Sequence, residues 1–453
     1  MNYVQALGYL NSFINYEKNL HQVSPKAFSL ERVERLLSAF DDPQKALRVI
    51  HVAGTKGKGS TCAFVGSILK HAGYRTGLYT SPHINDVRER IRVSDLKRSS
   101  PARHDDIYQD MISEEEFSSL IARCKATIDG VEHEPDIGKF TFFEVLTALA
   151  FVYFKEKKTD LVVLETGLGG RLDATNAAPS LIAAVTPISL EHTHLLGDTL
   201  ELITNEKKAI IKSRDQRVVL AAQEKVVMDL LIKRTAEFGV KPVIVGSDFV
   251  YKPVSRQDDV QIFNIESVHQ NYNGLQIPLL GEHQLVNAAT GLAIIEQLKE
   301  AGYPVSAEAV YDGLKNTFWP LRFERISADK NIILDGAHTE ASSKALAEAV
   351  LNSFPGKHVT MILGFTMGKD INGMCRQFNR IAGRVIATQS RHPRALSPSE
   401  ELIRTGFPNK PYLLTQTVEE ALDLAKKDLK PDGILLICGS LYLVSEARKL
   451  CIN

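Results

Sequence analysis

The chain has 453 residues, 44% of them apolar and 24% charged, with 54 basic side chains set against 54 acidic ones. One hydrophobic core stops growing well short of that length, so at least two domains are expected. Zero formal net charge supplies no long-range field toward nucleic acid or an anionic membrane, so any anion must be held by charges arranged locally.

Five cysteines, at 62, 124, 375, 438 and 451, follow no CxxC spacing. There is no basic-then-apolar leader and no apolar run of 18 residues, so the expectation is a reduced, cytoplasmic compartment and no membrane span. In chain order, the first 45 residues read as two amphipathic helices, Tyr3–Lys18 and Ser29–Phe40. Leu47–Ala53 is a short β-branched strand, and Ser60 to His71 has the apolar spacing of a helix.

Between them lies Gly54-Thr-Lys-Gly-Lys-Gly-Ser60, a glycine-rich turn at a strand-to-helix junction. Its amides and the helix terminus would face an anion, Lys58 would add a mobile charge, and Ser60 a hydroxyl able to reach a metal. The strict nucleotide-loop pattern is not met, since Val52 stands at the first glycine position and Gly59 separates the lysine from the hydroxyl.

Thr76–Thr80 completes a strand–helix–strand unit of a parallel sheet and leads into Ser81-Pro-His-Ile. Asp95–Asp110 reads as an exposed insertion, with His104-Asp105-Asp106 a weak metal candidate, and Phe140–Phe154 as a core helix rich in aromatics. Asp160–Glu165 is a third strand with a carboxylate at its tip, followed by Thr-Gly-Leu-Gly-Gly-Arg-Leu-Asp-Ala-Thr-Asn176.

Leu181–Ile188 is a fourth strand ending in Ser189-Leu-Glu-His192, and Thr199–Ile211 a helix carrying Lys207. Arg217–Ala222 and Val243–Val245 extend the strand alternation, the period changes toward two over 250–280, and Gly281-Glu-His-Gln-Leu-Val-Asn-Ala288 opens a helix. Trp319-Pro-Leu-Arg-Phe-Glu324 interrupts the pattern, which restarts as strand then helix from Asn331. The expected plan is α/β: a central domain containing a phosphate loop over 1–318, a linker over 319–330, and a second, smaller Rossmann-like domain over 331–453.

Residues just past the carboxyl ends of strands in an open parallel sheet converge on one crevice. Ser60, Ser81, Glu165 and His192 all hold such positions, and hydroxyl, carboxylate and imidazole beside a phosphate loop make a plausible magnesium set. Lys207 would face the same crevice. It could neutralise phosphate, carry a carbamate to a metal, or be paired with Glu206 or Asp198.

Several stretches resemble the folylpolyglutamate synthase and dihydrofolate synthase family, part of the ATP-dependent ligases that include the muramyl-peptide ligases. They are His51–Cys62, Thr80–Ile84 with Arg88–Arg92, Leu164–Asn176, Ile188–Thr199, Glu206-Lys207 with Ile210–Lys212, Gly281–Ala288, Asp335–His338 and Gly439–Val444. The resemblance implies a Rossmann-like central domain binding ATP and folate, and a C-terminal domain of the glutamate-ligase type. It implies that Gly57, Lys58, Gly59 and Ser60 hold phosphates and that Asn287, Arg322 and Asp335 contact ATP.

It further implies magnesium at two sites held by Ser60, Ser81, Glu165, His192 and a carbamylated Lys207, with Lys58, Lys207 and His338 catalytic. Pro82, His83, Arg171, Asp173, Thr175 and Asn176 would flank the pterin-bearing substrate. The implied partners are small molecules only: ATP, L-glutamate, and a folate or dihydropteroate, bound by a monomer. Leu321 stands where the family usually has glycine, and Thr339-Glu340 where it has Asn-Pro. Those departures motivate one alternative, an ATP-binding module without ligation; the other is a muramyl-peptide-type ligase.

Overall fold

The computed structural model describes residues 1–17, 28–94, 107–257, 259–326, 331–430 and 432–452. The chain divides into two compact bodies. The first comprises Met1–Ser255, Ile262–Ile277 and Leu285–Thr317, and the second Arg256–Gln261, Pro278–Gln284 and Phe318–Asn453.

In the first body the chain runs α1 (Tyr3–Asn11), α2 (Leu30–Ser38), β1 (Val49–Ala53), α3 (Lys58–His71), β2 (Thr76–Tyr79), β3 (Ile91–Ser94), α4 (Glu114–Glu132), α5 (Phe142–Glu156) and β4 (Leu161–Glu165). It continues through β5 (Ile182–Val185), α6 (Thr193–Leu196), α7 (Leu200–Lys207), β6 (Arg217–Leu220), α8 (Lys225–Glu237) and β7 (Val243–Ile244). Last come β8 (Phe249–Gln257), β9 (Val260–Ser267), β10 (Asn271–Ile277), α9 (Glu282–Glu300) and α10 (Ala307–Lys315).

Seven strands form one sheet in the order β3-β2-β4-β1-β5-β6-β7. All its pairings are parallel except that of the edge strand β3 with β2. Every residue of β1, β4 and β5 is buried, as expected of central strands covered on both faces. Strands β10, β9 and β8 make the separate small sheet expected from the change of period.

The second body holds β11 (Glu324–Arg325), β12 (Ile332–Leu334), α11 (Glu340–Ser353), β13 (Val359–Leu363), α12 (Ile371–Asn379), β14 (Arg384–Ala387), α13 (Glu400–Gly406), β15 (Tyr412–Leu414), α14 (Val418–Lys427), β16 (Ile434–Cys438) and α15 (Leu441–Ile452). Its six-stranded sheet has the order β11-β12-β16-β13-β14-β15. Both bodies are thus Rossmann-like α/β units, the second the smaller.

Several boundaries differ from the sequence reading. Helix α1 stops at Asn11, where the Ser12 amide turns back to Tyr9, and Ile14 then bridges to Thr141. Helix α3 starts at Lys58 rather than Ser60, so the lysine itself belongs to the first helical turn. The α-helical part of α7 ends at Lys207 and tightens into a 3₁₀ turn over Lys208–Ile210, a common way to close a helix. Lys18, the triplet His104-Asp105-Asp106 and part of the linker at 327–330 lie outside the described residues.

Candidate active site

The turn after β1 is shaped by glycine. Gly57 caps α3 at φ +86°, and a Cβ there would stand 2.1 Å from the Asn287 side-chain oxygen, so only glycine fits without moving that residue. No side chain caps the helix, so its first amides, at Lys58, Gly59 and Ser60, have no helical carbonyl to bond. The amides of Thr55 and Lys56 go instead to the Pro187 carbonyl, at 3.0 and 3.1 Å. Thr55 and Ser189 bond each other's hydroxyl, amide and carbonyl at 3.1 Å, which fastens the loop after β5 to the turn.

Two lysines meet at one atom. The Gly54 carbonyl accepts from Lys58 Nζ at 3.2 Å and from Lys207 Nζ at 2.8 Å. Lys207 is buried, and burial together with the Lys58 charge brings its amine down to about 7. The pairing of Lys207 with Glu206 that the sequence allowed is not made: Glu206 is turned to Arg171, 2.9 Å away. Lys56 pairs with Glu191 at 3.0 Å, next to His192, which stands at φ +52° before α6. The Lys58 charge thus stands at an uncapped helix N-terminus, which favours an anion.

Neighbouring strand tips bring the oxygen donors. Tyr79 of β2 is in register with Leu164 of β4, so Ser81 and Glu165 come together, and the Ser81 amide donates to Glu165 Oε2 at 3.0 Å. Glu165 and Ser60 are both buried. Among the described residues no three His, Cys, Asp or Glu side chains are grouped to hold a metal ion. Hydroxyl and carboxylate oxygens such as those of Ser60, Ser81 and Glu165 are ligands of the type magnesium takes.

The bond before Pro82 is cis. His83 accepts at Nδ1 from Arg90 Nε at 2.8 Å. The fully buried Arg90 forks onto Glu17 at 2.6 and 2.7 Å and lies over the Phe142 ring. Sequence reading assigned no role to Arg90 or Glu17, and an arginine directly before an apolar strand residue carries no local sign of burial.

Arg171, Asp173, Thr175 and Asn176 occupy the loop after β4. Asp173 is buried, which raises its carboxyl, and accepts from the Leu168 and Thr175 amides at 2.8 and 3.0 Å. Its oxygens therefore shape the loop. Asn176 Nδ2 donates to the Arg171 carbonyl at 3.2 Å, while its Oδ1 is buried without a hydrogen-bond partner among the described residues.

Arg322, Asp335 and His338 belong to the second body. Asp335 is half-buried, and desolvation raises its carboxyl against the pull of Arg322. Its oxygens take the Phe323 and Ala337 amides at 2.9 and 2.8 Å, which clamps the linker to the end of β12. His338 Nδ1 lies 2.8 Å from the Gly336 carbonyl, so that nitrogen carries the hydrogen.

A strand–glycine turn–helix with paired lysines, followed by a second α/β body, defines a class. Residues 107–295 match the pattern of the Mur ligase middle domain, and 321–441 that of the Mur ligase glutamate ligase domain. Within this class, the chain is 32% identical to the dihydrofolate synthase/folylpolyglutamate synthase of Bacillus subtilis over 93% of its own length and 94% of that protein. The chain belongs to the folylpolyglutamate synthase/dihydrofolate synthase family of the Mur ligase superfamily.

Solved structures agree. Mycobacterium tuberculosis folylpolyglutamate synthase complexed with ADP superposes with a TM-score of 0.86 at 27% identity, covering 100% of this chain and 98% of that one. Escherichia coli FolC in complex with DHPP and ADP gives 0.81 at 29% identity, covering 98% and 97%. No helix among the described residues is long and apolar enough to cross a membrane.

Proposed function

We infer that the chain is an ATP-dependent ligase that adds glutamate to folate-type substrates. The observation that carries this reading is the meeting of Lys58 and Lys207 at the Gly54 carbonyl, beside an uncapped helix N-terminus and the Ser81–Glu165 pair.

In this reading the first body takes ATP and the pterin-bearing acid, and the second takes glutamate. Gly57, Lys58, Gly59 and Ser60 hold the β- and γ-phosphates, with Asn287 beside the nucleotide. The substrate carboxylate attacks the γ-phosphorus, giving ADP and an acyl phosphate. The glutamate amine then attacks the acyl carbon and expels phosphate. Lys58 stabilises charge growing on the transferring oxygens, and such preorganised electrostatics is usually the largest part of a rate gain.

Ser60, Ser81, Glu165, His192 and a carbamylated Lys207 would hold magnesium, which supplies charge neutralisation at the phosphates. The buried amine of Lys207, brought down to about 7, suits carbamylation, since only a neutral amine combines with carbon dioxide. By the family resemblance, Arg322 and Asp335 would be assigned to ATP and His338 to the transferring phosphate. Pro82, His83 and the Arg171–Asn176 loop flank the pterin, and the acceptor is dihydropteroate as well as tetrahydrofolate. The protein works as a cytoplasmic monomer.

The test is to offer purified protein ATP, magnesium, glutamate and either dihydropteroate or tetrahydrofolate, and to follow phosphate release with product mass. Glutamate-dependent release with one added glutamate in the product supports the reading. Turnover that requires a muramyl peptide, or ATP held without turnover, overturns it.

A further inference from the structure

The loop between β4 and β5 is tied to the sheet from beneath. Thr175 donates its hydroxyl hydrogen to Asp173 Oδ1 at 2.5 Å. Having one hydrogen to give, that hydroxyl can only accept from its other neighbour, His51 Nε2, at 2.8 Å. The imidazole is thereby fixed with hydrogen on Nε2 and with Nδ1 bare, and Nδ1 is buried with no hydrogen-bond partner among the described residues. His51 itself is fully buried in β1, paired with Leu164 of β4 and Ala183 of β5, three residues before Gly54.

A buried imidazole with one nitrogen unsatisfied is less stable than an apolar side chain of similar shape unless its remaining bond matters. That bond reaches the residue that organises the loop, because Asp173 also accepts the Leu168 and Thr175 amides. The loop has further anchors. The Arg171 amide donates to the Glu206 carbonyl at 2.9 Å, and Lys212 Nζ donates to the Asn176 carbonyl. Gly170 packs so closely on α7 that a Cβ would stand 2.8 Å from the Glu206 carbonyl oxygen and 3.0 Å from that of Lys207.

These contacts close a ring. From Gly54 the path runs through Lys207 to the end of α7, across to Gly170 and Arg171, through Asp173 and Thr175 to His51, and back along β1 to Gly54. The phosphate turn and the loop after β4 are therefore fixed to each other from two sides.

We propose that His51 is a positioning residue: donating from Nε2 through Thr175, it holds Asp173 and the 167–176 loop in the shape that receives the pterin-bearing acid, in register with the phosphate turn. This rests on the reading that the loop flanks that substrate. His51 touches neither substrate and acts only through Thr175.

The experiment compares His51→Phe, His51→Gln, Thr175→Val and the double variant His51→Phe/Thr175→Val. Steady-state KM values are measured for ATP and dihydropteroate, and dihydropteroate binding without ATP by calorimetry. His51→Phe and Thr175→Val should each weaken dihydropteroate binding and raise its KM about tenfold, with the KM for ATP within about twofold of the parent. The double variant should be no worse than either single one, because both break the same chain. His51→Gln, which keeps a donor where Nε2 stood, should return to within about threefold of the parent.

An unchanged dihydropteroate KM in Thr175→Val, equal losses for both substrates, or additive losses in the double variant would overturn the proposal. Should His51→Phe fail to fold, Thr175→Val and His51→Gln decide the matter alone. A parent protein that neither binds nor turns over dihydropteroate would defeat the functional reading itself, which separates that failure from this one.

Discussion

Leu321→Gly removes a buried side chain at a left-handed backbone position, and the structure argues that it destabilises the second body. Leu321 stands at φ +59°, in the left-handed region, where a side chain costs about 1–2 kcal/mol that glycine avoids. Against that gain, the leucine is fully buried. Truncating a buried leucine costs about 2–5 kcal/mol, and glycine adds roughly 0.5–1 kcal/mol of backbone entropy. The backbone bonds survive the change, since the Leu321 amide still reaches Glu324 at 3.0 Å and its carbonyl still accepts from Gly336 at 2.9 Å. Burial outweighs strain, and a net loss of about 2–3 kcal/mol is expected. Trp319, the single tryptophan of the chain, lies two residues away and reports on this body directly. Urea unfolding followed by its fluorescence should show a midpoint lower by about 1 M, taking a slope of about 2 kcal/mol per molar. A midpoint that is unchanged or higher would mean that the left-handed strain, not the side chain, dominates at this position.

Three other outcomes follow from the first body. Gly57→Ala puts a Cβ 2.1 Å from the Asn287 oxygen at a positive φ, so kcat/KM for ATP should fall at least about 100-fold, read by ADP release, while far-ultraviolet dichroism stays unchanged. Lys207→Ala should lose nearly all turnover and recover part of it with added formate or acetate; full activity without additive would rule out a carbamate there. Burial lowers His51 from 6.5 to about 3, so it stays neutral in the folded chain while the unfolded chain takes up a proton. Its contribution to stability is whole above pH 6.5 and is lost as pH falls toward 3. Between pH 6.5 and 5 the unfolding free energy of the parent should therefore drop by about 1.5 kcal/mol more than that of His51→Gln, and parallel curves for the two proteins would refute the assignment.

The strands at the centre of the first sheet were legible because burial on both faces leaves an unbroken apolar run. Asp160–Glu165 shows this, with Glu165 found at the tip of β4 as expected. Helices on the outside were less so. The sequence reading assigned no element to α4, although Ser113 and Glu116 form a capping box at its start, nor to α8, whose Val227, Leu231 and Thr235 recur at helical spacing. In the second body α13, α14 and β15 were passed over; β15 is short and half-exposed, so no alternation marks it. Gly59 hid the true start of α3, since glycine reads as loop unless the helix begins at a turn already built for an anion.

Strand order was beyond local signals altogether. In β3-β2-β4-β1-β5-β6-β7 the chain neighbours β1 and β2 are separated by β4, so Ser81 comes to Glu165 through an insertion of a strand 84 residues away in sequence. This topology explains how stretches of the first body that lie far apart in sequence come to neighbouring strand tips. His51, Gly54, Gly170, Asp173, Thr175 and Lys207 come from three separate stretches, but each supplies one link in the same closed path. His51 opens the first of those stretches and received no role from its neighbours in sequence, because its partner lies 124 residues on. A residue of this kind is recognised by the atom it bonds and by the nitrogen it leaves bare, and neither is written in the strand that carries it.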